Sequence, residues 1–223
     1  MIDLMENIKQ SKITSLFSAG DLYKFGYKEP YVSERLQKAV MNSEIIHIKK
    51  DVYALGVMLR KELVDNRVLA QMLFPRSYVS MEHVLSKISW IPESVYVVTS
   101  VTQGENNYIE TEYGRYDYVK LPQRKFYAGV RHIVEGIYEY NKAVPLKALA
   151  DIIYRNKYEW TTLKPLHESL RIEYDDLETL TSSDFDELHE TYGIINVEKF
   201  LYGIRKELAL WAIMKLCLNL KNV

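Results

Sequence analysis

The apolar residues of the first 55 positions follow a helical spacing twice and then a strand-like alternation. Ser18 is suited to cap a helix over Ala19–Phe25, and Gly26 stands where such a helix would end. Pro30 favours the first turn of a second helix, which we expect to run to about Asn42. Within that helix the apolar residues recur at i, i+4, i+7 and i+8, which predicts one buried stripe: Val32, Leu36, Ala39 and Val40.

Two short strands are predicted after these helices. Ile45–Ile48 and Val52–Leu55 have strand-like composition, and Lys49–Asp51 forms a polar turn between them with two adjacent cations. Together with a preceding helix over Ile2–Gln10, this order predicts a winged helix-turn-helix in residues 1–60. Units of this kind bind operator sites in DNA, so we expect the chain to bind double-stranded DNA.

The predicted recognition helix is Tyr31–Asn42, whose N-terminal half would enter the major groove. Its polar side chains can reach base edges or phosphates, the turn at Lys49–Asp51 can reach the DNA backbone or minor groove, and Lys28 can reach a phosphate. Glu34 lies on the same face, where phosphates repel it unless it accepts from a cytosine amine. The predicted DNA-binding residues are Lys28, Tyr31, Ser33, Arg35, Gln37, Lys38, Lys49 and Lys50. The alternative is a winged-helix adaptor that binds proteins and has no toxin partner.

Beyond residue 60 the pattern predicts a second domain over residues 61–223. Val95–Val101 is the strongest predicted strand because it is rich in β-branched and aromatic residues. The other predicted strands form two pairs, Tyr108–Thr111 with Arg115–Lys120 and Phe126–His132 with Gly136–Asn141. These segments predict a mainly antiparallel sheet of about five strands followed by C-terminal helices, so the fold class expected for the whole chain is α+β.

Helical spacing dominates the rest of this domain. Ser80 is predicted to cap the second of its helices and Asn196 the last. The last helix includes Trp211–Leu220, a run too short to cross a membrane, which predicts core packing or a seam between two copies. The predicted helices are Arg67–Phe74, Met81–Ile88, Pro145–Asn156, Lys164–Arg171, Asp175–Leu180, Asp184–Tyr192 and a last helix from Asn196 onward.

Charge is unevenly distributed along the chain, although the formal net charge of the 223 residues is only −1. Residues 1–60 contain nine Lys and Arg against seven Asp and Glu, whereas residues 145–198 contain five against twelve. A DNA-binding surface must therefore be a local patch and not a property of the whole molecule. The acidic end is predicted to be a solvated face or a docking surface for a basic partner.

The sequence has no pattern typical of an enzyme, a metal site or a secreted protein. The five histidines lie in separate segments without metal-ligand spacing, and no nucleophile elbow or phosphate-binding glycine loop is present. The single Cys217 excludes an intramolecular disulfide, and Met1–Gln10 is too polar for a signal peptide. We therefore expect a cytoplasmic protein that is not an enzyme and uses no cofactor, metal or membrane.

Five segments follow one another between residues 17 and 154: FSAGDLYKFG, YVSERLQKAVMNSEIIHIKKDVYAL, YVSMEHVLSKISWIPESVYVVTSVT, Phe126–Gly129 and AVPLKALADIIY. In this order they resemble the AbiEi family of antitoxins, which are transcriptional regulators of type IV abortive-infection toxin–antitoxin systems. The resemblance implies an N-terminal domain that represses its own operon and a C-terminal domain that counters a nucleotidyltransferase-like toxin. It assigns Tyr31–Asn42 as the recognition helix and Lys49–Asp51 as the wing. At the wing, Asp51 stands where the family commonly has Gly, and its charge repels phosphate.

Overall fold

The computed structural model of the chain describes residues 3–11, 13, 15–136 and 138–220. Over these residues helices and strands are mixed, and they fall into two groups around two hydrophobic clusters. The first group comprises α1 (Leu4–Gln10), β1 (Leu16–Ser18), α2 (Ala19–Tyr23), α3 (Tyr31–Met41), β2 (Ile45–Lys49) and β3 (Val52–Leu55). The second group comprises α4 (Asn66–Leu73), β4 (Ser77–Val79), α5 (Met81–Lys87), β5 (Val97–Thr102), β6 (Asn107–Thr111), β7 (Gly114–Lys120), β8 (Val130–Glu135), β9 (Tyr138–Ala143), α6 (Pro145–Asn156), α7 (Lys164–Leu170), α8 (Tyr174–Leu177), α9 (Ser182–Leu188) and α10 (Ile195–Leu220).

The first group packs three helices against a small antiparallel sheet with strand order β1-β3-β2. Its cluster includes Leu4, Phe17, Leu22, Leu36 and Ile45, all buried. The predicted hairpin of β2 and β3 is confirmed, and the predicted first helix begins at Leu4, while Ile2 lies outside the described residues. Strand β1 was not predicted because three residues are too few to show alternation.

The second group contains a six-stranded mixed sheet with the order β6-β7-β5-β4-β9-β8. The pairs β4–β5, β6–β7 and β8–β9 are antiparallel, whereas β5–β7 and β4–β9 are parallel. The prediction of a mainly antiparallel sheet of about five strands is therefore wrong in strand number and in these two parallel pairings. The missed strand is β4, whose three residues are all buried and so show no alternation of polar and apolar side chains.

Several predicted boundaries also differ from the structure. The strand predicted from Phe126 begins at Val130, because residues 126–129 form a turn that ends at Gly129 with a positive φ of 70°. A side chain at Gly129 would lie 2.7 Å from Leu188, so glycine is required by packing as well as by backbone conformation. The last helix begins at Ile195, so Asn196 does not cap it.

Helix α6 is buried along most of its length and contains two ionisable residues, Lys147 and Asp151, that have no solvent exposure. Gln123 bridges them, because its Oε1 accepts from Lys147 Nζ at 2.5 Å and its Nε2 donates to Asp151 at 3.1 Å. Burial lowers the pKa of Lys147 and raises the pKa of Asp151, and their mutual attraction opposes both shifts. The other donors to the Asp151 carboxylate are the hydroxyls of Tyr78 at 3.0 Å, Ser80 at 2.6 Å and Tyr192 at 2.6 Å. Ser80 was predicted to cap α5, but its hydroxyl donates to this carboxylate and makes no side-chain cap.

We expect Asp151→Ala to lower the free energy of unfolding by about 3–5 kcal/mol, because it leaves the Lys147 ammonium buried without its counter-charge. Urea unfolding followed by circular dichroism measures this change. The matched control is the double variant Lys147→Met and Asp151→Leu, which removes both charges and should restore most of the lost stability. A cost of under about 1 kcal/mol for the single variant would contradict the account.

Candidate nucleic-acid interface

Helix α3 turns one face toward the first hydrophobic cluster and the opposite face to solvent. Val32, Leu36 and Ala39 are buried, as their helical spacing predicts. The residues exposed on the opposite face are Glu34, Gln37, Lys38 and Met41. The open face of α3 therefore contains two of the predicted DNA contacts, Gln37 and Lys38.

The start of α2 is fixed by a capping box. Ser18 accepts a hydrogen bond from the Asp21 backbone N–H, and the Asp21 carboxylate accepts from the backbone N–H of Ser18 at 2.9 Å. Partial burial alone would raise the pKa of Asp21, but hydrogen bonds from Lys24 and Ser18 lower it overall. Lys24 is paired with this carboxylate at 2.6 Å, so it belongs to the α2 structure and adds little free charge to the surface. Gly26 then reverses the chain with a φ of 83°.

The start of α3 is fixed by aromatic packing. The rings of Tyr31 and Tyr27 are stacked with centroids 5.4 Å apart, and the Tyr27 hydroxyl accepts from the Asn7 side chain at 2.5 Å. Tyr31 is therefore half-buried and links α3 to α1. Lys28 precedes this contact in the turn and is exposed, so its ammonium lies beside the first turn of α3.

Arg35 joins α3 to α1 through an ion pair with Asp3. Asp3 also caps α1, because its carboxylate accepts from the Met5 backbone N–H at 3.3 Å. Only about a quarter of the Arg35 side chain is exposed (27%). The guanidinium thus orients α3 against α1, and it can contact a DNA phosphate only if it leaves this carboxylate.

Lys49 lies at the end of β2 and is directed toward the second group of elements. Its Nζ lies 3.3 Å from the Leu73 carbonyl oxygen at the end of α4 and 5.9 Å from the centre of the Phe74 ring. A cation beside the last carbonyl groups of a helix is favourable, and so is a cation near an aromatic ring. Lys49 therefore helps to hold the β2–β3 hairpin against α4.

The tip of this hairpin is formed by Lys50 and Asp51, both of which are exposed. Asp51 has a φ of 63°, in the left-handed region that favours glycine. Its backbone carbonyl accepts from the Ala19 N–H at 3.4 Å, which ties the tip to the start of α2. An acidic residue thus occupies a backbone position suited to glycine, next to the exposed cation Lys50.

The predicted site residues therefore differ in their freedom to contact DNA. The exposed ones, for which the described part of the chain contains no ion pair, are Lys28, Gln37, Lys38 and Lys50. The half-buried or engaged ones are Tyr31, Ser33, Arg35 and Lys49. The sequence did not reveal the partners of the engaged residues, because Asp3 and Leu73 are distant from them along the chain and follow no periodic pattern.

Neither metal-binding groups nor known relatives identify this site. Across residues 3–220, apart from the undescribed positions 12, 14 and 137, no three His, Cys, Asp or Glu side chains are placed to hold a metal ion. Among the helices of that same part of the chain, none has both the length and the apolar character needed to cross a membrane. Comparison of the sequence with protein-family models gives no match, and comparison with curated proteins gives none.

We expect Lys49→Ala to lower the free energy of unfolding by about 0.5–1 kcal/mol, because it removes a cation from the end of α4 and from the Phe74 ring. The adjacent Lys50→Ala is the matched control and should leave stability unchanged, because Lys50 is exposed at the tip. Urea unfolding of both variants at low salt provides the measurement. Equal effects for the two lysines would contradict a specific contact of Lys49 with α4.

Proposed function

We propose that this chain is a DNA-binding transcriptional regulator whose residues 1–60 form a winged helix-turn-helix. The observation that supports the proposal is the order α1-β1-α2-α3-β2-β3, in which β1 pairs with β3 beside the β2–β3 hairpin. In this arrangement α3 is the recognition helix, and the tip at Lys50 and Asp51 is the wing. The proposal makes the exposed face of α3 the DNA-contacting surface.

On this surface Gln37 reads bases, because its amide can form a bidentate pair with adenine in the major groove. Lys38 and Lys28 neutralise phosphates on either side of the groove, and Ser33 adds a hydrogen bond near the first turn of α3. Lys50 contacts the backbone from the wing. These roles suit the exposed positions of the three lysines and Gln37.

The remaining predicted residues support the surface from behind. Tyr31 fixes the start of α3 by stacking on Tyr27, and Arg35 fixes its orientation through Asp3. Lys49 sets the position of the wing by its contact with the Leu73 carbonyl. In the proposal these three are positioning residues, and their DNA contacts are secondary.

The resemblance of the sequence to AbiEi antitoxins extends the proposal to a biological role. The chain would act in the cytoplasm as autorepressor and antitoxin of a type IV pair, with the second group of elements countering a nucleotidyltransferase-like toxin. Neither activity requires a cofactor or catalysis by this chain. The excess of acidic residues between 145 and 198 offers a surface of negative charge to a basic partner.

A protein-binding adaptor is the second candidate function, and the composition of the α3 face favours it. Glu34 lies on that face, and Met41 is 83% exposed there. Residues 1–60 also have a surplus of only two Lys and Arg over Asp and Glu. An apolar and nearly neutral helix face is typical of protein interfaces, whereas DNA-binding faces are commonly basic.

The DNA-binding proposal predicts that the protein binds DNA from upstream of its own gene more tightly than unrelated DNA, with an affinity that falls as salt rises. Lys38→Ala should weaken binding to both DNAs roughly fivefold and reduce the salt dependence by about one released counterion. Gln37→Ala should instead reduce the preference for the upstream DNA, by about 1–3 kcal/mol. Fluorescence anisotropy at two salt concentrations measures all of these quantities.

Lys87→Ala is the matched control for this experiment, because Lys87 is an exposed lysine on α5 in the second group. It should bind like the unaltered protein. A folded protein without salt-dependent binding to the upstream DNA would refute the proposal. Retention of activity in cells by a variant with Lys38 and Lys50 both changed to Glu would favour the adaptor.

We expect Asp51→Asn to raise the affinity for DNA about two- to fivefold at low salt, because it removes a negative charge near the phosphates. Asparagine tolerates the left-handed backbone at this position, so the hairpin should stay folded. Glu112→Gln, which removes an exposed acid from the second group, is the control. Equal affinities for Asp51→Asn and the unaltered protein would exclude the tip from the DNA interface.

A further inference from the structure

The second half of α10 differs from every other surface helix segment in its apolar composition. Between Leu208 and Leu220, all residues are apolar except Lys215 and Asn219. The first half of the helix is amphipathic by contrast, with Val197, Phe200, Leu201 and Ile204 among the buried residues. A segment that is apolar on all sides is expected to be covered on all sides.

The solvent side of this segment is nevertheless open. Leu210, Ile213 and Met214 expose 54%, 57% and 56% of their surface, respectively. Their spacing of i, i+3 and i+4 places them on one strip of the helix. Tyr202 extends the exposed side toward the first half of the helix. Contiguous apolar surface of this kind commonly marks an interaction site.

The strip contains no charge that would select a charged partner. Lys215 lies on the other side of α10, where it pairs with Glu178 and lies 3.9 Å from Asp175. The complement of an uncharged apolar strip is another apolar strip, and a two-fold axis brings a surface patch against its own copy. The strip therefore satisfies the self-complementarity that a symmetric dimer needs.

Charge at the ends of the strip also fits a second copy. Lys206 precedes Leu210 by one turn on the same side and is exposed. If two α10 helices cross antiparallel between residues 210 and 213, Lys206 of each copy lies at the level of residue 217 of the other. That level adjoins Lys215, which Asp175 and Glu178 flank, so each copy brings a cation toward the acidic α8 of the other. A parallel arrangement would bring like charges to the same level and is disfavoured.

We propose that a second copy of this chain packs antiparallel on α10, with Leu210, Ile213 and Met214 at the centre of the interface. The proposal does not depend on DNA binding, because it concerns a helix of the second group. The stretch from Tyr202 to Leu220 is about 28 Å long, so the seam is shorter than most stable interfaces, which bury about 800 Å² on each partner. We therefore expect a dimer that dissociates at micromolar concentration.

Sedimentation velocity of the full chain from about 1 to 200 µM tests the proposal, and the unaltered protein should pass from monomer to dimer over this range. Leu210→Glu and Ile213→Glu should each weaken the dimer at least tenfold, because they place charge in the apolar centre of the seam. Met58→Glu is the matched control, since Met58 is an exposed methionine outside α10, and it should dimerise normally. Circular dichroism and thermal unfolding confirm that each variant is folded.

A second measurement reports on the geometry of the pairing. In a Cys217→Ser background, which lacks the single native cysteine, Ile213→Cys should form a disulfide-linked dimer under mild oxidation, because residue 213 lies near the proposed two-fold axis. Met58→Cys in the same background should not. A monomer at all concentrations, or a dimer that persists in Leu210→Glu and Ile213→Glu, overturns the proposal. Occupation of the strip by a different protein while the chain itself stays monomeric also overturns it.

Discussion

The buried carboxylate of Asp151 is the interaction on which the second group of elements depends. A carboxylate removed from water is tolerated only if hydrogen bonds and a nearby cation replace its hydration. Here the donors come from β4, from the residue before α5, from the segment after β7 and from the segment between α9 and α10. All of these segments must be in place together for the charge to be satisfied. The network therefore fixes α6 at the centre of the group and, with it, the sheet and α10.

This group in turn supports the N-terminal elements at three polar contacts. Lys49 reaches the end of α4, Tyr138 donates to the Leu63 carbonyl at 3.0 Å, and Lys61 donates to the Ser11 carbonyl at 3.2 Å. These contacts involve the hairpin and the segments before β1 and α4, and they leave the outer face of α3 open. The same docking that secures the hairpin uses one of its cations, so the α3 face contributes more free contacts than the tip does.

Local signals in the sequence were sufficient for much of the fold. Helix α6 has the predicted bounds, because Pro145 fixes its first turn and Lys157 ends it with a left-handed φ of 55°. The β2–β3 and β6–β7 hairpins were predicted from alternation and turn residues. Strand β4 and the two parallel pairings were missed, because short buried strands and non-local pairings leave no periodic trace. In the candidate site the exposed residues of α3 followed from its helical spacing, whereas the pairing of Arg35 with Asp3 depends on tertiary contact alone.

The central claim is that the open face of α3 is the surface that meets DNA. Amide hydrogen exchange of the full chain, with and without DNA from upstream of its gene, tests this claim most directly because it maps protection along the backbone. The account predicts slower exchange concentrated in residues 28–42 and, more weakly, around residues 49–51. Protection confined to the second group, or unchanged exchange across α3 at saturating DNA, would contradict it.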